Sequence, residues 1–369
     1  MARFQTIHIL TPSLAPHDAI SNDVLVTAAA LRNAGYTVKV SAGGVHPSLR
    51  HEATTLGQLS RRHWGARQAL VVYHHSMVWP EGENIIETTK NTVVIKYHNI
   101  TPAGYFEPYS RPHYDACQAG VASTRRLATL PDVWFWGDSW FNTRALIGYG
   151  APEARCRVLA PMHMTSDLAC ETLQYSTTAP FKDGKVNLLF VGGFKPNKAH
   201  ERLIRVFAEY HHVYNRRSRL ILAGSVDPAF ESYVEALRQL AARLDVVSEV
   251  VFCFSVSAAQ LRALYLVADV FLCLSHHEGF CVPLLEAMFF RVPIVALAGT
   301  AVPETVANCG LVFEEYNEAL FAEAINYCVE DPELASKLRR LGRERYRSRF
   351  DNEILRGRLL EFVKELEQA

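Results

Sequence analysis

Twice along this chain, short apolar runs alternate with longer amphipathic stretches, and that alternation constrains the fold more than any other feature. Apolar segments at 5–11, 36–42, 68–74, 92–97, 132–136 and 156–159 read as strands, with helices expected near 20–34, 52–63, 113–128 and 139–149. A second series follows, with strands near 187–192, 219–223, 249–254, 270–274 and 293–297 and helices near 198–213, 228–243, 257–267, 283–290, 317–329 and 332–345. Apolar strands separated by helix-length segments argue for parallel sheets covered by helices on both faces. The expected fold class is therefore α/β, with two doubly wound, Rossmann-like domains in tandem and a cleft where they meet. The stretch 162–186 is richer in polar residues and contains Pro180 and Asp183-Gly184, as a linker would. The expected division is 1–170, 171–350, and a charged amphipathic C-terminal helix over 351–369.

Length supports two domains, since 369 residues exceed what one ordinary core accommodates. Lys and Arg together number 38, as do Asp and Glu, so no overall charge draws the chain to nucleic acid or an anionic membrane. The eight cysteines include no C-x-x-C pair, which suits a reducing compartment and indicates neither a disulfide framework nor a zinc site. Gln5–Leu10 reads as a strand where a secretory leader would lie, and no apolar run approaches the ~20 residues that span a bilayer. The expected location is cytoplasmic, with at most peripheral contact with the inner face of a membrane.

One segment carries most of the chemistry. In Ser275-His276-His277-Glu278-Gly279-Phe280-Cys281-Val282-Pro283-Leu284-Leu285-Glu286, an apolar strand runs through a Gly-containing loop into a helix, with Pro283 suited to the first helical turn. The amides of Gly279, Phe280 and Cys281 would meet a phosphate at the helix N-terminus, where unsatisfied N–H groups and the helix dipole favour an anion. Glu286, one turn inside, is placed to accept from a ribose diol, and Glu278 lies where a sugar would bind. An acidic residue in a first helical turn can also simply complement the dipole.

Read whole, this string resembles the E-x7-E signature of retaining family-4 glycosyltransferases, which have the two-domain GT-B fold. Val191-Gly192-Gly193-Phe194-Lys195-Pro196-Asn197-Lys198 lacks the spacing of either a dinucleotide fold or a P-loop, and is similar instead to that family's donor-phosphate loop. Lys198 matches the family's lysine. Gly193 stands where the family usually has arginine, which leaves Lys195 as a substitute source of charge. The resemblance to a branch containing bacterial O-antigen and surface-polysaccharide mannosyltransferases extends through Asp18-Ala19-Ile20-Ser21-Asn22-Asp23, Tyr73-His74-His75-Ser76, Tyr97-His98-Asn99-Ile100-Thr101-Pro102 and Asp138-Ser139 with Phe141-Asn142. It implies that His98 contacts the transferred sugar. Asp18, Ala19, Ile20, Ser21 and His74 would lie on the acceptor side.

The resemblance implies a retaining hexosyltransferase that uses a nucleotide-sugar co-substrate, with GDP-mannose the favoured donor and a carbohydrate or lipid-linked glycan as acceptor. In that reading His98, Glu278 and Lys198 carry the catalytic roles. Gly192, Gly193, Lys195, Lys198, Gly279, Phe280, Cys281 and Glu286 bind the donor. No separate cofactor is expected. Adjacent His276 and His277 project in different directions, the helical H-E-x-x-H spacing is missing and there is no D-x-D, so no essential metal is expected. Val302-Pro303-Glu304-Thr305 reads either as a donor contact or as a capped helix start. Two other functions stay open: a GT-B sugar-nucleotide epimerase, and a non-catalytic nucleotide-sugar-binding partner in a glycan assembly complex.

Overall fold

The computed structural model describes residues 4–55, 68–173 and 178–368, which form two compact units. The first comprises residues up to 103, 115–164 and 350–369, and the second 104–114 with 165–349. Its seven strands are β1 (Thr6–Leu14), β2 (Thr37–Val45), β3 (Thr54–Thr55), β4 (Ala69–His75), β5 (Thr92–Tyr97), β6 (Val133–Gly137) and β7 (Cys156–Val158). They pair in the order β3-β2-β1-β4-β5-β6-β7, every recorded pair parallel. Helices α1 (Ala19–Asn33), α2 (Pro80–Thr88), α3 (Arg111–Ala128) and α4 (Trp140–Gly148) connect them. Leu10, Val71, Tyr73, Ile95 and Phe135 form part of the dry interior against one face of this sheet.

The second unit opens with a short helix α5 (Thr165–Cys170) and holds β8 (Val186–Val191), β9 (Ser218–Gly224), β10 (Val250–Phe254), β11 (Val270–Cys273), β12 (Ile294–Leu297) and β13 (Gly310–Phe313). Their order is β10-β9-β8-β11-β12-β13, again all parallel. The covering helices are α6 (His200–Val213), α7 (Glu231–Arg243), α8 (Ala258–Val267), α9 (Val282–Phe289), α10 (Val302–Val306), α11 (Glu318–Glu330) and α12 (Pro332–Arg345). In each sheet the strand order reverses once, between β1 and β4 and between β8 and β11. The loops leaving the carboxyl ends of those neighbours diverge, and ligands of doubly wound sheets bind in the resulting crevice.

The α/β class with two Rossmann-like sheets matches the expectation, and most strand edges fall within two residues of it. Four elements differ, the first being α5, a short helix within the stretch expected to be a linker. α2 was not anticipated, because Pro80-Glu81-Gly82-Glu83 offers no apolar repeat; β13 is a four-residue, half-buried edge strand that begins with glycine. Where a helix was expected over 52–63, Thr54–Thr55 pairs with β2 as strand β3, and 56–63 lies outside the described residues.

The terminal helix α13 (Asn352–Gln368) belongs to the first unit. Tyr36 donates to Glu367 Oε1 at 3.2 Å, Arg157 Nε donates to Glu365 Oε2 at 3.1 Å, and Asn352 Nδ2 donates to the His163 carbonyl at 2.6 Å. The segment Gly104–Tyr114 is the reverse case, sitting early in the sequence yet belonging to the second unit. Among the described residues no helix is long and apolar enough to cross a membrane.

Each unit buries histidine in its neutral form, His75 in the first and His200 in the second among them. Burial pushes His75 in β4 down to about 3, and His200 at the start of α6 likewise to about 3, well below the ordinary imidazole value. In the unfolded chain both take a proton near pH 6.5. The stability they contribute is complete above that pH and is lost as pH falls toward 3, at up to about 1.4 kcal/mol per pH unit for each. Chemical denaturation at pH 7 and pH 5 should show the chain markedly less stable at the lower pH. His200→Phe, which keeps an aromatic ring against Phe194, should flatten part of that dependence; an unchanged slope would exclude His200 as a contributor.

Candidate active site

At the reversal in the second sheet, the loop after β8 (192–199) and the loop after β11 (274–281) run side by side. Backbone hydrogen bonds join them, since the Asn197 carbonyl accepts from the amides of His276 at 3.0 Å and His277 at 3.4 Å. The Asn197 side chain donates to the His277 carbonyl at 3.3 Å. Across this junction Lys198 Nζ meets Glu278 Oε2 at 2.7 Å. Glu278 is 5% exposed. Burial acts to lower the lysine pKa, and the neighbouring carboxylate outweighs it, so the ammonium is held above its usual range. The two residues assigned from separate motifs thus form one ion pair.

The glycines of the first loop have unequal roles. A Cβ on Gly224, the last residue of β9, would lie 2.0 Å from the Gly192 carbonyl oxygen, and one on Gly192 would meet Phe190 at 2.9 Å. At Gly224 the obstacle is the facing backbone of the loop after β8, whereas at Gly192 it is the Phe190 ring. Gly193 is different. Its φ lies outside the left-handed region, and a Cβ there would have ordinary contacts with Ser225 at 3.6 Å. Lys195 follows as an exposed side chain two residues on.

The second loop is braced from behind. Glu278 N donates to Thr300 Oγ1 at 2.8 Å, and that hydroxyl donates to the Glu278 carbonyl at 2.7 Å. Thr305 Oγ1 donates to the Phe280 carbonyl at 3.1 Å. The Val302–Thr305 segment is helix α10, and the contacts it makes here brace the loop through Thr305. Helix α9 begins at Val282, so Pro283 occupies its first turn, and Cys281 caps it with a left-handed backbone at φ 74°. Glu286 is half-buried one turn in. Tyr265 donates to its Oε2 at 2.6 Å, while burial raises the carboxyl pKa and that hydrogen bond opposes the rise.

Tyr265, Asn197 and Thr300 went unread in the sequence, because each is an ordinary residue whose role appears only when distant segments meet. His276 likewise gains a setting: it stacks on Tyr105 at 5.2 Å and lies 3.4 Å from Glu201. Tyr105, Glu201 and His276 line a cavity of about 420 Å³ that Tyr109, Arg205 and Tyr233 also line.

The first unit concentrates charge at its own strand reversal. Asp23 on α1 is fully buried, forms an ion pair with Lys96 Nζ at 2.6 Å and accepts from the Met162 amide at 2.8 Å. Burial acts to raise its pKa, and Lys96, His74 and His98 together bring it below the usual value. Asp138 accepts from His98 Nδ1 at 2.7 Å, and His98 Nε2 meets His74 Nδ1 at 2.9 Å, so one ring donates and the other accepts. Burial holds His74 neutral. Both nitrogens of His98 are engaged and its side chain is 3% exposed. The structure therefore sets His98 in a buried network with Asp138 and His74. Asp18 caps α1, its Oδ2 accepting from the Ser21 amide and hydroxyl at 2.8 Å each, and Ser21 Oγ accepts from the Ala15 amide. Ala19 and Ile20 form the first turn of that helix.

Residues 175–345 match the model of the family described as glycosyl transferases group 1. Among curated proteins, a D-inositol 3-phosphate glycosyltransferase of Acidothermus cellulolyticus is 30% identical over 59% of this chain and 48% of its own length. A GDP-mannose:cellobiosyl-diphosphopolyprenol alpha-mannosyltransferase of Xanthomonas oryzae is 26% identical over 63% of each chain. The chain spans less than two thirds of the length of these relatives. Among solved structures, Anabaena HepE with UDP and glucose superposes with a TM-score of 0.76 at 18% identity, covering 98% of this chain and 100% of that one. Sucrose-phosphate synthase of Thermosynechococcus elongatus gives 0.77 at 18% identity, covering 98% and 99%. The fold is thus that of the GT-B glycosyltransferase structures.

The unequal glycines give a direct test of the loop geometry. Gly224→Ala should destabilise the chain by about 1–3 kcal/mol or more, because the clash is with backbone that can move only by shifting the whole loop. Gly193→Ala should be neutral or stabilising by up to ~1 kcal/mol. Denaturant unfolding of the two variants side by side checks the contrast, and equal effects would contradict the close approach at 192 and 224.

Proposed function

We propose that this chain is a glycosyltransferase that binds a nucleotide diphosphate sugar on its second unit and transfers the hexose to a carbohydrate or lipid-linked glycan, with retention of configuration. One observation carries the reading: the Lys198–Glu278 pair at the strand reversal, with Glu286 one helical turn beyond it. A lysine, a sugar-height carboxylate and a ribose-height carboxylate in that sequence match the three parts of such a donor. The family match over 175–345 covers all three.

In this reading Lys198, with Lys195 and the amides of Gly279, Phe280 and Cys281, stabilises charge gathering on the departing diphosphate, an electrostatic role that needs no metal. Gly192 and Gly193 let the backbone approach the phosphates. Glu278 orients the sugar hydroxyls, and Glu286, steadied by Tyr265, accepts from the ribose. A retaining glycosidase would use a nucleophilic carboxylate beside an acid–base carboxylate. Here the favoured course is attack on the face the diphosphate leaves, with a donor phosphate oxygen taking the acceptor's proton. The first unit would hold the acceptor near Asp18–Ser21 and His74. Contact between His98 and the sugar would require His98 Nε2 to exchange His74 for a sugar hydroxyl.

GDP-mannose is the favoured donor on the resemblance of the motifs, and the name of the Xanthomonas relative supports it, whereas the Anabaena neighbour holds UDP and glucose. A thermal-shift panel of nucleotides and nucleotide-sugars decides the donor, since a ligand of the folded state raises stability as RT ln(1 + [L]/Kd). Incubation with donor alone separates an epimerase, which would return an epimerised nucleotide-sugar. The absent arginine at 193 keeps the binding-only reading in play, and it predicts donor affinity without turnover.

Lys195→Ala and Lys198→Ala should each reduce kcat/KM, with about 2–4 kcal/mol of transition-state stabilisation lost at Lys198. Since Gly193 has room and an ordinary φ, Gly193→Arg in the Lys195→Ala background should recover part of the rate. No loss at Lys195 would show that Lys198 and the amides suffice. Glu286→Ala should weaken the nucleoside diphosphate itself, while Glu278→Ala should lower the affinity ratio of nucleotide-sugar to nucleotide; calorimetric titration reads both.

A further inference from the structure

Beside Glu278 the second unit holds two thiol side chains that the proposed transfer does not use. Cys273, the last residue of β11, and Cys281, the cap of α9, are both buried free thiols, and their sulfurs and a Glu278 carboxylate oxygen all lie within 4.8 Å of one another. The loop 274–280 doubles back between them. Cys281 has a left-handed backbone, φ 74° and ψ 74°, which a residue with a Cβ seldom adopts. Two thiols and a carboxylate, all buried and this close together, form a donor set suited to a thiophilic divalent cation, whose fourth ligand would be water.

We propose that Cys273, Cys281 and Glu278 form a binding site for a thiophilic divalent metal ion of the zinc class, and that metal bound there inhibits the chain by taking Glu278 from the donor. The four bonds of such an ion run about 2.0–2.3 Å, so the three donor atoms need only draw together slightly around it. Binding forms two metal–sulfur bonds and one metal–oxygen bond, and the two thiol protons pass to solvent. Charge favours the exchange. Before binding, the Glu278 carboxylate and the Lys198 ammonium cancel. Afterwards the ion, two thiolates and the carboxylate carry one net negative charge, which the same ammonium cancels, so the buried site stays neutral. In the first unit, Asp23, His74 and His98 also bring donor atoms within 4.8 Å, yet there His74 Nδ1 and His98 Nε2 are already joined to each other at 2.9 Å.

The inhibitory half of the proposal rests on the assignment of Glu278 to the donor sugar, whereas the metal site does not, and the experiment separates them. The reduced chain is titrated with Co2+, read by thiolate-to-cobalt charge-transfer absorption, then with Zn2+ in competition. One equivalent should bind with the charge-transfer band, and Cys273→Ser should weaken binding at least tenfold while leaving nucleotide affinity unchanged. Identical titrations of the wild type and Cys273→Ser, or no band at all, would overturn the site. Should Cys273→Ser fail to fold, Glu278→Gln serves instead and must weaken Co2+ in the same way. With the site loaded, Zn2+ should lower the affinity for the nucleotide-sugar in the wild type and not in Cys273→Ser. Metal binding with an unaltered nucleotide-sugar affinity would uphold the site and remove Glu278 from the sugar.

Discussion

The ion pair between Lys198 and Glu278 organises the second unit's working end. It unites loops that are 80 residues apart in the chain, and it exists only because β8 and β11 are neighbours where the strand order reverses. A charged pair this buried contributes little net stability, since desolvation offsets most of the attraction. Its value is positional. With the Asn197 hydrogen bonds it fixes one loop against the other, so that a cationic group, a carboxylate and a helix N-terminus are held in one place before any ligand arrives.

Close backbone packing supports that arrangement from below. Gly224 allows the end of β9 to approach the Gly192 carbonyl more closely than a side chain permits, and the Gly192 and Phe194 amides continue the pairing past the strand to Ala223 and Ser225. The loop therefore leaves the sheet as an extension of it, which gives Lys198 a defined origin. Thr300 and Thr305 do the same for the facing loop by satisfying the Glu278 amide and the Glu278 and Phe280 carbonyls. Both loops are held in the same way: several of their backbone polar groups have partners within the protein.

The first unit uses the corresponding reversal for a different purpose. Its sheet buries Asp23, Lys96, Asp138, His98 and His74 in one network, with the two carboxylates facing an ammonium and an imidazole pair. Such a network is tolerable only when nearly every member is paired. It fixes the ring of His98 through Asp138, much as an orienting carboxylate fixes a catalytic imidazole, and leaves His74 as the group that any ligand of His98 Nε2 must replace.

The amino-acid sequence by itself determined the fold class and most strand positions, and it singled out the residues proposed here for a donor site. Period and apolarity are local properties, and the strings at 191–198 and 275–286 each carry their chemistry in adjacent residues. It did not reveal α2 or β13, where Pro80 with Gly82 and a four-residue edge strand carry too weak a repeat. Only the tertiary structure decided that Lys198 pairs with Glu278, that Tyr265 holds Glu286, that both nitrogens of His98 are occupied, and that Gly104–Tyr114 belongs with the second unit. Each of these depends on which strands become neighbours. Strand order is a property of the packed sheet, since a parallel crossover can place a strand beside any partner whose apolar face it covers.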